Sequence, residues 1–193
     1  MKKDTIVRIA IVVVLILAVL FALKGNIYRM AVKYEDGGNR KSYELKDETF
    51  INHINQQLPN DESLDENIDI ETIIDISLAI TADKLDYSAE AEENDPHKVF
   101  AAGSANYIGY AAFTASVSNY LIKRFGLNKE WEVKPKKGKL YVFGTNKTKK
   151  AKDGWYKDHD IVVYKNKTTK EEVFVDPSAY ESYGVKIVDK RQK

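Results

Sequence analysis

The sequence predicts an α+β domain carried behind an amino-terminal membrane helix, and three observations lead there. Residues 9–23 form an unbroken apolar run, preceded by Lys2, Lys3 and Arg8 and followed by Lys24. Helical spacing dominates the first part of the body, while short β-rich runs fill the rest. Residues 106–125 carry the strongest helical pattern of the body, with small side chains that permit close packing. Helices first and consecutive strands afterwards predict an antiparallel sheet packed on a central helix.

Counted from Ile6, the apolar segment reaches the lower limit for crossing a bilayer, with Arg8 able to extend to the surface. A signal peptide shares these features, but Phe21-Ala22-Leu23-Lys24 is a poor cleavage site, and a chain without Cys has no lipoprotein anchor. The expected organisation is a transmembrane anchor over 1–25, a juxtamembrane region and short helix over 26–64, and the main domain over 65–193. Lys24, Arg29 and Lys33 nearly cancel Lys2, Lys3 and Arg8 as orientation signals. An anchor at the start most simply leaves the body outside. The expected location is therefore the inner or plasma membrane, single-pass, with an extracytoplasmic domain. A Cys-free body suits an oxidising compartment.

At 193 residues the chain holds one ordinary domain plus the anchor. With 44% hydrophobic and 31% charged residues it is too apolar for wholesale disorder. A formal net charge of +1 gives no general attraction for nucleic acid. The count of 0 Cys excludes disulfides, Cys-based zinc sites and thiol chemistry. His53, His97 and His159 are never at the spacing of a helical metal pair, so neither a metal nor a cofactor is expected.

Along the body, Asp36-Gly37-Gly38-Asn39 is a strong turn signal, placed in a hairpin or a loose linker. Residues 47–54 show helical spacing ended by Leu58-Pro59, and the acidic stretch 61–66 reads as a solvated loop. Ile70, Ile73, Ile74, Ile76, Leu78 and Ala79 form the apolar stripe of a core helix over 68–85. Asp95-Pro96 marks a break. In 106–125 the buried side is Ile108, Ala111, Ala112, Ala115, Val117, Tyr120 and Leu121, and Gly126 is placed to stop the helix. Residues 131–133, 139–143, 161–164, 172–175 and 185–188 read as strands. The Lys-rich runs 134–139, 147–152 and 165–170 read as solvated turns that protect sheet edges. Asn146-Lys147-Thr148 and Asn166-Lys167-Thr168 fit the glycosylation sequon.

Three motifs carry the functional reading. A helix opens as Asn106-Tyr107-Ile108-Gly109-Tyr110-Ala111, His159 leads a strand, and Asp176-Pro177-Ser178 closes the next one. A hairpin crossing over 165–169 would stand His159 and Asp176 near each other at one sheet end. Taken singly, each has an ordinary role: Tyr107 as a core aromatic, His159 as a strand-start residue, Asp176 as a turn former before Pro177. His97 reads as a loop residue and His53 lies on an exposed helix face.

In order and spacing the motifs resemble the transglutaminase-like, or papain-like, thiol enzymes over roughly residues 65–180. In that family a Cys at a helix start precedes x-Gly-Tyr-Ala, and a His and an Asp follow on neighbouring strands. There the helix start lowers the thiol pKa, the His accepts its proton and the carboxylate fixes the imidazole tautomer. Here the register puts Tyr107 in place of the Cys, and Asp160-Ile161 replaces the family's Ala-Trp after the His. A phenol, bulky and with a pKa near 10, is poorly suited to acyl chemistry. Ser104 lies upstream of the helix start and is badly placed as a substitute nucleophile.

The resemblance therefore implies a pseudoenzyme with vestigial triad positions Tyr107, His159 and Asp176 and no catalytic residues. Its expected role is protein binding or scaffolding in a cell-envelope assembly, with the membrane, through the amino-terminal helix, and a protein as partners and no nucleic acid. One alternative is an acyl-transfer or peptide-hydrolysing enzyme with a non-Cys nucleophile. Another is a membrane-tethered inhibitor or immunity-type protein whose sheet and Lys-rich turns bind a secreted partner.

Overall fold

Five helices of the body begin at an Asp or Asn whose side-chain oxygen takes backbone N–H groups that the first turn leaves free. The computed structural model describes residues 3–59, 68–151, 156 and 159–192. The acidic stretch 61–66 and Lys152 lie outside them.

Helices α1 (Lys3–Ala22) and α2 (Lys24–Ala31) precede the body. Strand β1 (Val32–Asn39) follows, then α3 (Glu48–Gln57), α4 (Ile70–Lys84), β2 (Asp86–Tyr87), α5 (Pro96–Ala102) and β3 (Ser104–Ala105). The central helix α6 (Tyr107–Arg124) leads into β4 (Trp131–Val142), β5 (Thr145–Asn146), β6 (Asp160–Asn166), β7 (Glu172–Val175), α7 (Pro177–Tyr183) and β8 (Ile187–Val188). The protein is thus α+β, with an antiparallel main sheet in the order β1-β4-β6-β7-β8 and β5 turned back on β4. A parallel bridge between Tyr34 and Lys190 joins the chain beyond β8 to β1, so the sheet curls round on itself.

Both faces of this sheet are buried, which is why β6 reads as a continuous apolar run. Val162 and Tyr164 face α4 and α6, together with Val133 and Val175. Ile161 and Val163 point the other way, into a second core with Tyr34, Leu140, Phe174, Val188, Tyr28 of α2 and Ala179 of α7. Helix α6 is buried at every residue of 109–118. Its hydroxyls turn inward without penalty because Thr114, Ser116 and Ser118 donate to the carbonyls one turn back. Gly109 permits a close approach: a Cβ there would stand 2.7 Å from the Ala105 Cβ.

The structure departs from the sequence reading in four places. The residues placed in a hairpin or linker form β1, paired with β4 from Val32↔Val142 to Asp36↔Gly138. Asp36-Gly37-Gly38-Asn39 is a bulge within that strand, where the register shifts and Gly38 takes φ 128°. The Lys-rich run 134–139 is no turn but the middle of β4, which β1 covers on one side and β6 on the other. Pro135 is tolerated because its carbonyl faces the Arg40 N–H just past the end of β1, so its missing N–H falls where that pairing runs out. The anchor expected over 1–25 is continuous only to Ala22. Among the described residues no single helix is long and apolar enough to cross a membrane; Ile9–Ala22 and Lys24–Ala31 pass that test together, bent by 61°.

Smaller differences have local causes. His53 is half-buried against the Phe100 ring, not on an exposed face. His97 sits in the first turn of α5, behind its cap Asp95, with Nε2 against the Glu44 carbonyl at 3.2 Å. The side chain of Asn166 is held in the β6–β7 turn: its oxygen accepts from the N–H groups of Thr168 and Thr169 and its amide donates to Glu130. That sequon is built into the fold.

Candidate functional site

The β6–β7 hairpin brings the end of one strand to the start of the other, and the two predicted side chains meet there. Its register runs from Lys165↔Glu172 to Val162↔Val175, leaving His159 just before β6 and Asp176 just after β7. His159 and Asp176 are both 0% exposed, and the imidazole Nε2 bonds directly to Asp176 Oδ2. Tyr107, the first residue of α6, lays its ring on the imidazole with centroids 4.9 Å apart and planes 35° apart. All three predicted positions therefore converge.

Asp176 divides its carboxylate between two tasks. Oδ1 caps α7, accepting from Ser178 N at 2.9 Å, Ala179 N at 3.1 Å and Ser178 Oγ at 2.6 Å. Oδ2 receives both His159 and the Tyr34 hydroxyl, the latter at 2.5 Å. Burial alone pushes this carboxyl up. The His159 charge and the bonds from His159, Ser178 and Tyr34 outweigh burial and hold it below its ordinary value of 3.8.

Tyr34 is the residue that sequence reasoning missed. It lies in β1, is 0% exposed, and places its hydroxyl 3.5 Å from His159 Nε2 as well as on Asp176. Because Tyr34 donates to the carboxylate, it accepts from the Tyr28 hydroxyl of α2. Burial, and then the Asp176 charge, raise the phenols of Tyr28 and Tyr34 far above 10, so both remain protonated donors. The alternation Val32-Lys33-Tyr34 was the one sequence signal for a half-buried strand. Nothing in it pointed to a partner 142 residues away.

Two backbone features hold His159. The N–H of Gly138 in β4 donates to the His159 carbonyl at 2.8 Å, and a Cβ on Gly138 would collide with that same oxygen. Asp160, the next residue, has a side chain only 1% exposed and takes a two-pronged bond from Arg40, Nε at 2.6 Å and Nη2 at 3.0 Å. Gly138→Ala is expected to cost about 2 kcal/mol, because the strand must part to admit the methyl. The shift of His159 is checked by its imidazole NMR signals; unchanged signals would contradict the role given to Gly138.

The His159–Asp176 pair is fully buried, and the half-buried Tyr107 is the side chain over it. A His–carboxylate pair lacks a thiol, and the phenol over it is a poor substitute: burial first, then Tyr87, drive the Tyr107 pKa well above 10. Ser104 lies in β3 opposite Asp86, and among the described residues no hydrogen bond joins it to His159. No group of three or more His, Asp or Glu suited to a metal ion occurs among the described residues. Elsewhere, an open groove of about 940 Å³ runs between residues 42–45, the C-terminal half of α6 and the start of β4; Tyr43, Tyr120 and Trp131 line it, with Lys123 and Arg124. None of its lining residues belongs to the His159 cluster.

Comparison with known proteins gives no match to a family model, a curated protein or a solved structure.

Proposed function

We propose that this chain is a membrane-tethered, catalytically silent domain of transglutaminase-like architecture that serves as a binding or scaffolding subunit of a cell-envelope assembly. The observation that carries this reading is the occupied site: Tyr107 covers the imidazole of His159, and the carboxylate behind it is spent on Tyr34 and a helix cap. His159 and Asp176 are fully buried, and the half-buried Tyr107 ring occupies the position over the imidazole. The tether is supported by α1. Ile11, Val12, Val13 and Val14 are exposed at 54%, 53%, 48% and 63%, and four successive positions at 100° each cover every side of a helix. A helix apolar all round is one that lipid or a core must cover. The groove between α6 and β4 supports a binding role, since it is roomy, lined by aromatic and basic side chains, and separate from the His159 cluster.

The test is a screen of the full chain in detergent against acyl-donor and peptide substrates. No turnover is expected. Hydrolysis or acyl transfer that is lost in Tyr107→Phe or His159→Ala would overturn the silent-domain reading in favour of an enzyme with another nucleophile.

A further inference from the structure

The exposed apolar residues beyond α1 are not scattered. Leu23, Ile27 and Met30 are 44%, 43% and 80% exposed, and their spacing sets them in one stripe along α2, opposite the buried Tyr28. Phe143, 83% exposed, adjoins the end of this helix, its N–H bonded to the Ala31 carbonyl at 2.9 Å. On the other flank, Tyr183 and Ile187, 37% and 38% exposed, line a cavity of about 650 Å³ together with Phe21, Lys24, Arg29 and Lys186. Among the described residues beyond α1, the only other large exposed apolar side chain is Tyr87.

Phe143 is also in the wrong kind of turn. With Gly144 it makes the two-residue connection between β4 and β5, at φ 46° and 76°. A turn with both central residues at positive φ favours Asn-Gly or Asp-Gly, and an aromatic there is strained. A chain that accepts strain to hold a phenylalanine out from the surface breaks a local rule, as functional positions do.

We propose that this face lies on the bilayer, with α2 in the plane of the interface, Phe143 and Ile187 dipping into the headgroup layer, and Lys24, Arg29 and Lys186 meeting anionic phospholipid phosphates. The inference rests on the reading of α1 as a membrane helix. It goes further by fixing how the body sits. The occupant follows from continuity: α2 leaves α1 at a 61° bend, as a helix turning from the bilayer core into its surface would. The basic side chains have partners at the surface: Arg29 the half-buried Asp189 at 3.2 Å, Lys186 the exposed Asp75 at 2.5 Å, and Lys24 the Ser182 carbonyl at 2.9 Å and the Phe21 ring. Such contacts exchange readily for phosphate. Tyr28 and Tyr34 then tie the interfacial helix to the core through the His159–Asp176 pair.

The chain's lack of Cys makes the test clean. Full-length Met30→Cys, Phe143→Cys and Ile187→Cys are each labelled with an environment-sensitive fluorophore, beside Leu15→Cys in α1 and Lys167→Cys in the turn at the far end of β4 and β6. They are reconstituted in vesicles of phosphatidylcholine and phosphatidylglycerol bearing nitroxide quenchers at shallow or deep positions. The expected result is shallow quenching at 30, 143 and 187, deep quenching at 15, and none at 167. Deep quenching at 15 with water-like emission at 30, 143 and 187 overturns the surface contact and leaves the anchor. Blue-shifted but unquenched emission at those three positions overturns it in favour of a protein partner or a second copy. No quenching at 15 overturns the anchor, and this inference with it.

Discussion

Asp176→Ala is expected to lower stability by about 4 kcal/mol, since it leaves buried hydrogen-bond donors without their acceptor. His159 and Tyr34 lose a shared acceptor, and α7 loses its cap in the same step. Asp176→Asn keeps the volume and one acceptor oxygen and should cost less. Urea unfolding of the full chain in detergent measures both. The pH dependence follows from the depressed carboxyl. Its folded pKa lies below the ordinary 3.8, so the folded state binds fewer protons than the unfolded one in that range. This stabilisation is fully present above that value and is lost as pH falls through the lower folded pKa. The wild-type profile should fall in that acid range, and Asp176→Asn should flatten the fall. An Asp176→Ala cost near that of an ordinary surface change would mean that the pair does not hold the core.

Arg40→Ala is the second large effect, expected at about 3 kcal/mol. Asp160 is a buried carboxylate whose two oxygens are gripped by one guanidinium, and that guanidinium is itself only 25% exposed. Arg40→Lys should recover only part of the loss, because an ammonium cannot reproduce the planar two-pronged bond. Removing both partners, as in Arg40→Ala with Asp160→Ala, should cost less than removing Arg40 alone. A single-variant cost under about 1 kcal/mol would place the pair with ordinary surface bridges. Asp160 follows His159 directly in the chain, so the pair bears on the placement of the imidazole.

How much of this was legible depended on how local each signal was. Asn106 and Gly126 bracket the central helix in the sequence as they do in the fold, since caps and stops act within one turn. The order α then β gave the antiparallel sheet, and the two ends of one hairpin brought His159 to Asp176. What stayed hidden were pairings across long loops. The glycines of 37–38 meant a turn to local chemistry, whereas the partner strand β4 made them a bulge. Lys134 to Lys139 looked like a turn because alternation was masked by lysines, yet both sides of that stretch are paired or bonded. Tyr34 was unreadable as a site residue for the same reason: only the curled sheet delivers it to Asp176.

The central claim is that Tyr107 stands where a nucleophile would be activated, at the start of a helix and against an imidazole. Tyr107→Cys tests it most directly, in a chain with no other thiol. The measurement is the rate of alkylation by iodoacetamide as a function of pH, compared with Lys149→Cys at an exposed position of the short 3-10 helix Thr148–Lys150. The expected thiol reacts at lower pH than the surface control, its pKa drawn below the free value of about 8.5 by the helix start and His159, with the advantage lost in the His159→Ala background. An identical pH–rate profile for the two cysteines would contradict it.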